Sequence, residues 1–321
     1  MQRKIFSAIL LLVSVFSLPT MHAQTPEAPC VPGISFWNLL DSVSVGYISG
    51  RLSIDRVYAP CLPAPAKQTT SNYAYDPDVG GKLTTEVKTA EGKVLNTYVW
   101  YAQRIGGLWE LSRYKIIGGD QAVKPLTPGS YVLEFAANDK PFYRFPFNVI
   151  EGKNEDPYQP AGARYFIEGA WNEYGNIFYQ RNAPESVLKF TTWIQDKSGK
   201  PTTTLTPYDL KLVSLKDGKV VGEDSGAFKL EPRWQKADML LRPAGADKNT
   251  YLRAGDFLRT DGRYAFRFTL DGKPQGTYPF EVKDGRIQLQ GKQIRERTDP
   301  MIAIVDYLSG GRYTSWWIKK T

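Results

Sequence analysis

At 321 residues and 36.2 kDa the chain exceeds what one hydrophobic core comfortably serves, so two domains of ordinary size are expected. Its one histidine is His22, which falls inside a leader-like start; the remainder therefore excludes Ser/His/Asp and Cys/His catalysis, the usual zinc hydrolase sites and any imidazole proton shuttle. The formal charge is +8, or +6 without residues 1–23 (39 basic against 33 acidic side chains), and no basic stripe or RNA-binding motif concentrates it, so nucleic acid is not an expected partner.

In chain order, Arg3 and Lys4 precede an apolar run over residues 5–18, then Pro19 and a small-residue cut after Ala23. That is the pattern of a secretory signal over residues 1–23, and it predicts a secreted or periplasmic protein. The apolar run is short for a bilayer span, so no transmembrane segment is expected in the mature chain. Cys30 and Cys61 are the only cysteines. In an oxidising compartment an even pair most simply forms one disulfide, worth about 3–4 kcal/mol in the chain-entropy account; a free reactive thiol is the alternative. Neither cysteine directly follows the apolar run, where a lipid-bearing cysteine would stand.

Further along, the chain writes one passage twice. Residues 127–152, TPGSYVLEFAANDKPFYRFPFNVIEG, and residues 260–285, TDGRYAFRFTLDGKPQGTYPFEVKDG, share ten identities in 26 positions, against about two expected by chance, which marks an internal repeat. Tyr131, Leu133 and Phe135, and likewise Tyr264, Phe266 and Phe268, alternate at the strand period, as do Phe147 with Val149 and Phe280 with Val282. Asp271-Gly272 is a strong signal for a two-residue hairpin turn and Asn138-Asp139 a weaker one, so each copy is predicted to end in a hairpin.

Thr-Pro-Gly-Ser-Tyr131 and Thr-Asp-Gly-Arg-Tyr264 resemble the turn and tyrosine corner at the start of the penultimate strand of immunoglobulin-like and fibronectin type III-like β-sandwiches. Antibody domains carry a cysteine two residues after that tyrosine; here Leu133 and Phe266 stand there, which removes the antibody-type assignment. The resemblance covers the last third of each copy and implies an all-β fold of two tandem immunoglobulin-like antiparallel sandwiches. It names a superfamily and no particular activity.

A second match, at an offset of 107, lays TTEVKTAEGK (84–93) on TTWIQDKSGK (191–200). With it, the expected organisation is domain one over 24–152, a polar, Pro-containing linker over 153–162, domain two over 163–291 and an appendage over 292–321. In the appendage Asp299-Pro300 opens a short helix that Gly310-Gly311 can stop, followed by a strand over 312–318.

The same alignment puts Leu188, Phe190 and Ile194 on a buried face and turns Trp193 away from it, opposite Glu86 of the first copy. With Trp171 and Tyr174 nearby, Trp193 is a candidate ligand-binding surface of the kind that stacks on sugar rings or anchors a protein partner. The competing reading has these rings covered by the linker, the other domain or the tail. Trp316 and Trp317 are adjacent, so a strand would send them to opposite faces, and Trp317 joins the candidates.

Enzyme signals are sparse. Glu168 and Glu173 flank Trp171 and are the first carboxylate pair to test for glycan hydrolysis; solvated surface acids are the simpler account. Ser112-x-x-Lys115 and Ser186-x-x-Lys189 match a short serine-lysine motif without its companions. No phosphate-binding glycine loop and no calcium loop is written in the chain, and no metal or cofactor is expected. The expected function is binding, adhesion or architecture in the envelope or outside the cell, with an envelope glycan or a protein as partner. The alternatives are a carboxylate-dependent enzyme acting on glycans and a sandwich-type inhibitor or accessory subunit.

Overall fold

A computed structural model describes residues 32–34, 39, 42–59, 61–65, 73–105, 108–152, 162–180, 183, 185–197, 205–288 and 313–321. The leader expected over 1–23, Cys30, most of the expected linker and the helix expected after Asp299 lie outside the described residues. The chain is all-β, and its sheets pair antiparallel throughout.

The first half begins with a hairpin of β1 (Val43–Val45) and β2 (Leu52–Ile54). It continues through β3 (Arg56–Ala59), β4 (Tyr73–Tyr75), β5 (Leu83–Thr89), β6 (Val94–Ile105), β7 (Leu108–Ile116), β8 (Gly129–Ala137), β9 (Lys140–Gly152) and β10 (Arg164–Glu168). These eight strands form one sheet in the order β10-β9-β8-β5-β6-β7-β3, with β4 added on β6. On β9, Tyr143, Phe145, Phe147 and Val149 are buried while Arg144, Pro146 and Asn148 face out, the alternation of a sheet with one wet face. The inner face is closed by Val43, Leu52 and Ile54 of the β1–β2 hairpin, which share one buried cluster with Tyr98, Trp100 and Phe135. The Tyr98 phenol donates to the Leu52 carbonyl at 3.0 Å and fastens that hairpin.

The second half contains β11 (Tyr174–Gln180), β12 (Lys189–Ile194), β13 (Thr206–Ser214), β14 (Val220–Phe228), β15 (Gln235–Leu240), the two-residue β16 (Arg242–Pro243), a single helical turn α1 (Ala254–Phe257), β17 (Gly262–Leu270), β18 (Lys273–Lys283), β19 (Arg286–Gln288) and β20 (Tyr313–Lys319). One sheet runs β15-β12-β11-β20 and the other β16-β14-β13-β17-β18-β19. They share a core in which Phe190 of the first stacks on Phe266 of the second at 4.4 Å and meets Tyr278 edge-on at 5.0 Å. Leu188, Phe190 and Ile194 are buried in it as the alternation predicts.

The repeated passages are superimposable in pairing as well as in letters. Tyr131 pairs with Thr89 on β5, and Tyr264 with Ser214 on β13. Each tyrosine hydroxyl donates four residues back, Tyr131 to the Thr127 carbonyl at 2.7 Å and Tyr264 to the Thr260 carbonyl at 3.0 Å. The hairpin turns form where predicted: Asn138 and Asp139 have φ of 49° and 65°, Asp271 and Gly272 of 50° and 69°, the two left-handed residues of a type I′ turn.

The second match is corrected by this pairing. Glu86 faces Glu134 on β8 and Lys211 faces Arg267 on β17, so the counterpart of Glu86 is Lys211, and β5 corresponds to β13 rather than to β12. The letters that accompany this are EGKV (91–94) on DGKV (217–220). Any two strands share a period of two, so a short Thr-Thr and Gly-Lys coincidence aligned strands of different sheets.

β10, expected to open the second half, instead pairs along β9 from Arg164 opposite Gly152 to Glu168 opposite Asn148 and forms the edge of the first sheet. Residues 31–321 make up one compact unit. The strand expected near the end is present as β20, and it docks on β11 of the second half from Tyr174 opposite Lys319 to Gln180 opposite Tyr313. No helix among the described residues is long and apolar enough to cross a membrane.

A charged ladder covers the outward side of β5, β8 and β9. The nearly buried Glu134 carboxylate accepts from Lys88 Nζ at 2.6 Å and from Arg144 Nε at 2.6 Å. Burial alone would raise this carboxyl, but the hydrogen bonds from Lys88 and Arg144 outweigh it and hold the group below its ordinary value of 4.5. Its contribution to stability is thus complete above about pH 4.5 and is lost as pH falls through the lower folded value. Glu134→Gln is expected to cost about 2 kcal/mol at neutral pH, the scale of charge-assisted hydrogen bonds, and to flatten the acid limb of stability. Urea titrations of both proteins from pH 7 to pH 3 check this, and parallel acid limbs would contradict it.

Candidate functional site

Trp171, Tyr174 and Trp193 do not form an exposed aromatic surface: they are 1 %, 7 % and 5 % exposed. All three belong to the core of the first half although the chain supplies them from the start of the second. After β10 a 3-10 turn over Ala170–Glu173 folds the Trp171 indole onto Phe145 of β9, stacked at 5.2 Å and 14°. Trp234 meets Trp171 edge-on at 5.9 Å, and its indole N–H donates to the Ile167 carbonyl. Gly169 is required here because a Cβ at that position would collide with the Trp171 ring. Trp193 leaves the Phe190 face of β12 as the alternation predicts, but the first half's core covers it. These rings join the two halves. Trp317 pairs with Asn176 through its backbone, and its side chain lies outside the described residues. Cys61 is not a free cysteine, and its carbonyl accepts from the Gly33 amide at 3.0 Å, which brings the segment after Cys30 alongside it. Cys30 itself lies outside the described residues.

Each of the four enzyme candidates has a partner of its own. Glu168 is paired with Lys197, and Glu173 with Lys319 at 2.8 Å, so each carboxylate faces a lysine rather than the other carboxylate. Ser112 donates to Glu110 and Ser186 to the Gln180 carbonyl, so neither serine is hydrogen-bonded to the lysine of its motif. Among the described residues no three His, Cys, Asp or Glu side chains gather as a metal site.

The two halves differ beside β6 and β14. Beside β14 the second half has only β16, two residues long. Beside β6 the first half has the nine-residue β7 and then β3. The continuous β6-β7-β3 part of the first sheet carries a polar and aromatic outer face. Tyr58, Glu110 and Gln103 stand in register across β3, β7 and β6, and Ser112 lies opposite Tyr101 in the next row. Glu110, whose side chain is 7 % exposed, accepts from Tyr58 Oη at 3.1 Å, Ser112 Oγ at 3.1 Å and Gln103 Nε2 at 3.4 Å, with Arg56 Nη1 at 3.6 Å.

A turn over Pro77–Val79 brings Asp78 to the same face. Its two carboxylate oxygens accept from Tyr114 Oη and Tyr101 Oη, each at 2.8 Å. These bonds, Tyr114's first, hold Asp78 below the usual carboxylate range, and the bond to Asp78 in turn pushes Tyr101 up to about 12. The two phenol rings meet edge-to-face at 4.8 Å and 73°, and Lys115 Nζ lies 5.2 Å from the centre of the Tyr114 ring.

This face is not legible in the sequence because its tyrosines are spread over three strands and Asp78 comes from a turn. The available signal was alternation: Tyr101 and Gln103, and Glu110, Ser112 and Tyr114, recur at the strand period as polar or aromatic groups. The arrangement can accept and donate hydrogen bonds and can pack an apolar surface against aromatic rings. No family model, no curated protein and no solved structure matches this chain.

Proposed function

We propose that the chain is an exported, non-enzymatic binding or architectural protein of the cell envelope or extracellular space, and that it binds through the outer face of β3, β7 and β6. The observation that carries this reading is the outward array of tyrosines and carboxylates on the first sheet, where β7 pairs with both β6 and β3; in the second half the segment in the same chain position is divided, β15 pairing with β12 and β16 with β14.

The immunoglobulin-like and fibronectin type III-like assignment belongs to the same proposal. Numbered within the second half, and leaving out the two-residue β16, β15-β12-β11 is a 5-2-1 sheet and β14-β13-β17-β18 a 4-3-6-7 sheet, the strand order of a fibronectin type III-like sandwich. Both tyrosine hydroxyl bonds support it further. Export carries with it the Cys30–Cys61 disulfide; thiol titration of the unfolded, unreduced protein should find no free thiol, and two per chain would end that part of the proposal.

The binding reading is tested by capture. Immobilised mature protein should retain a component of the native envelope or extracellular fraction, and a Tyr101→Ala/Tyr114→Ala variant with an unchanged far-UV spectrum should lose it. Equal retention by both proteins would refute the assignment of this face.

A further inference from the structure

We infer that the outer face of β3, β7 and β6 takes an uncharged, hydroxyl-rich sugar chain, an inference that rests on the binding role proposed above. The first ground is charge. The face sets Glu110 and Asp78, with Asp76 close enough to act on both tyrosines, against two bases, Arg56 and Lys115, and Glu110 is matched within it by Arg56 at 3.6 Å. The basic excess of the chain is therefore not displayed here, and an anionic polymer would meet a carboxylate for every cation.

The second ground is the kind of polar group. Glu110 is surrounded by a phenol, a hydroxyl and an amide, and Asp78 by two phenols, so carboxylate, amide and hydroxyl groups alternate over adjacent strands. With their protons committed to the two carboxylates, the phenol and serine oxygens keep lone pairs that accept from sugar hydroxyls, while the Gln103 amide and the Arg56 guanidinium keep N–H groups that donate to them. The third ground is the ring pair Tyr101–Tyr114, half-exposed and held edge-to-face, which supplies the aromatic surface that the C–H side of a pyranose packs on. Because both hydroxyls are anchored on Asp78, the rings are oriented before any ligand arrives, which lowers the ordering cost of weak, hydroxyl-rich ligands.

The experiment is titration calorimetry of the mature protein with dextran, a soluble β-glucan and a mannan as uncharged probes and with alginate and heparin as anionic ones, at low and high salt. Binding to at least one uncharged probe is expected, unchanged by salt because no ion pair forms. Tyr101→Ala/Tyr114→Ala should weaken it at least about tenfold. Tyr101→Phe/Tyr114→Phe, which keeps the rings and removes the anchoring hydroxyls, should weaken it less. Salt-sensitive binding of the anionic probes alone would overturn the ligand class, and uncharged-probe binding that both variants retain would overturn the site. If no polysaccharide binds while capture from the envelope fraction still depends on Tyr101 and Tyr114, the sugar inference fails and the binding role stands. If that capture is absent as well, both fail.

Discussion

Trp171→Ala is expected to destabilise the protein by about 3–5 kcal/mol, the range for removing a fully buried large aromatic side chain from a core that cannot close over the gap. The indole is 1 % exposed and lies flat on Phe145, with Trp234 against its edge. Its removal would leave a void lined by groups from both halves, because the ring comes from the turn after β10 while Phe145 sits on β9. The two halves should then lose cooperativity: a urea titration followed by tryptophan fluorescence and by far-UV circular dichroism should give transitions that no longer coincide. Trp193→Ala, also buried in the first half's core but carried by β12, should behave alike. A melting temperature unchanged in both variants would contradict the account of these rings as the join.

Deleting residues 313–321 should have an effect at least as large, on the order of 5 kcal/mol, since it removes both a ladder of backbone hydrogen bonds and a core side chain. β20 pairs with all seven residues of β11, and Ile318 is buried among the second half's core residues. Beyond the strand, the Lys320 amide donates to the Glu173 carbonyl and the Thr321 amide to the Thr277 carbonyl, each at 2.8 Å, so the segment also ties the turn that bears Trp171 to β18. Without it β11 would become a bare sheet edge, which templates association between chains. The truncated protein should therefore melt lower and elute as aggregates in size-exclusion chromatography. A truncated chain that remained monodisperse with an unaltered melt would show that β20 is dispensable.

Much of the local structure was legible in the letters. The period of two in Tyr131, Leu133 and Phe135 and in their counterparts marks strands because alternate side chains of a strand share a face, and all six of those side chains are buried. Asp271-Gly272 marks its turn because both residues must take positive φ, and both do. The tyrosine corners were legible for a similar reason: the hydroxyl reaches a carbonyl only four residues away, and chain geometry alone supplies the partner.

What failed had a common cause. The alternation of β12 separates Phe190 from Trp193 correctly, yet it states only that the two face opposite ways, not that a second core waits on the other side. The offset-107 alignment misled because period-two segments match one another cheaply, whereas hydrogen-bonded register with a third strand distinguishes β5 and β13 from β12. Asp78, Tyr101 and Tyr114 are separated by tens of residues along the chain and meet only because β6 and β7 pair and the Pro77 turn folds over them.

The sequence by itself determined the all-β class, the duplicated hairpins with their turns and corners, the strand near the end and the absence of imidazole chemistry after residue 23. Each of these is decided within a few residues, by dihedral preference, side-chain alternation or composition. Only the tertiary structure decided that β10 belongs to the first sheet, that Trp171 and Trp193 close the join, and that a carboxylate and tyrosine face lies on β3, β7 and β6. These depend on which strands become neighbours, and that is chosen by burial of apolar surface and pairing of backbone groups across the whole chain.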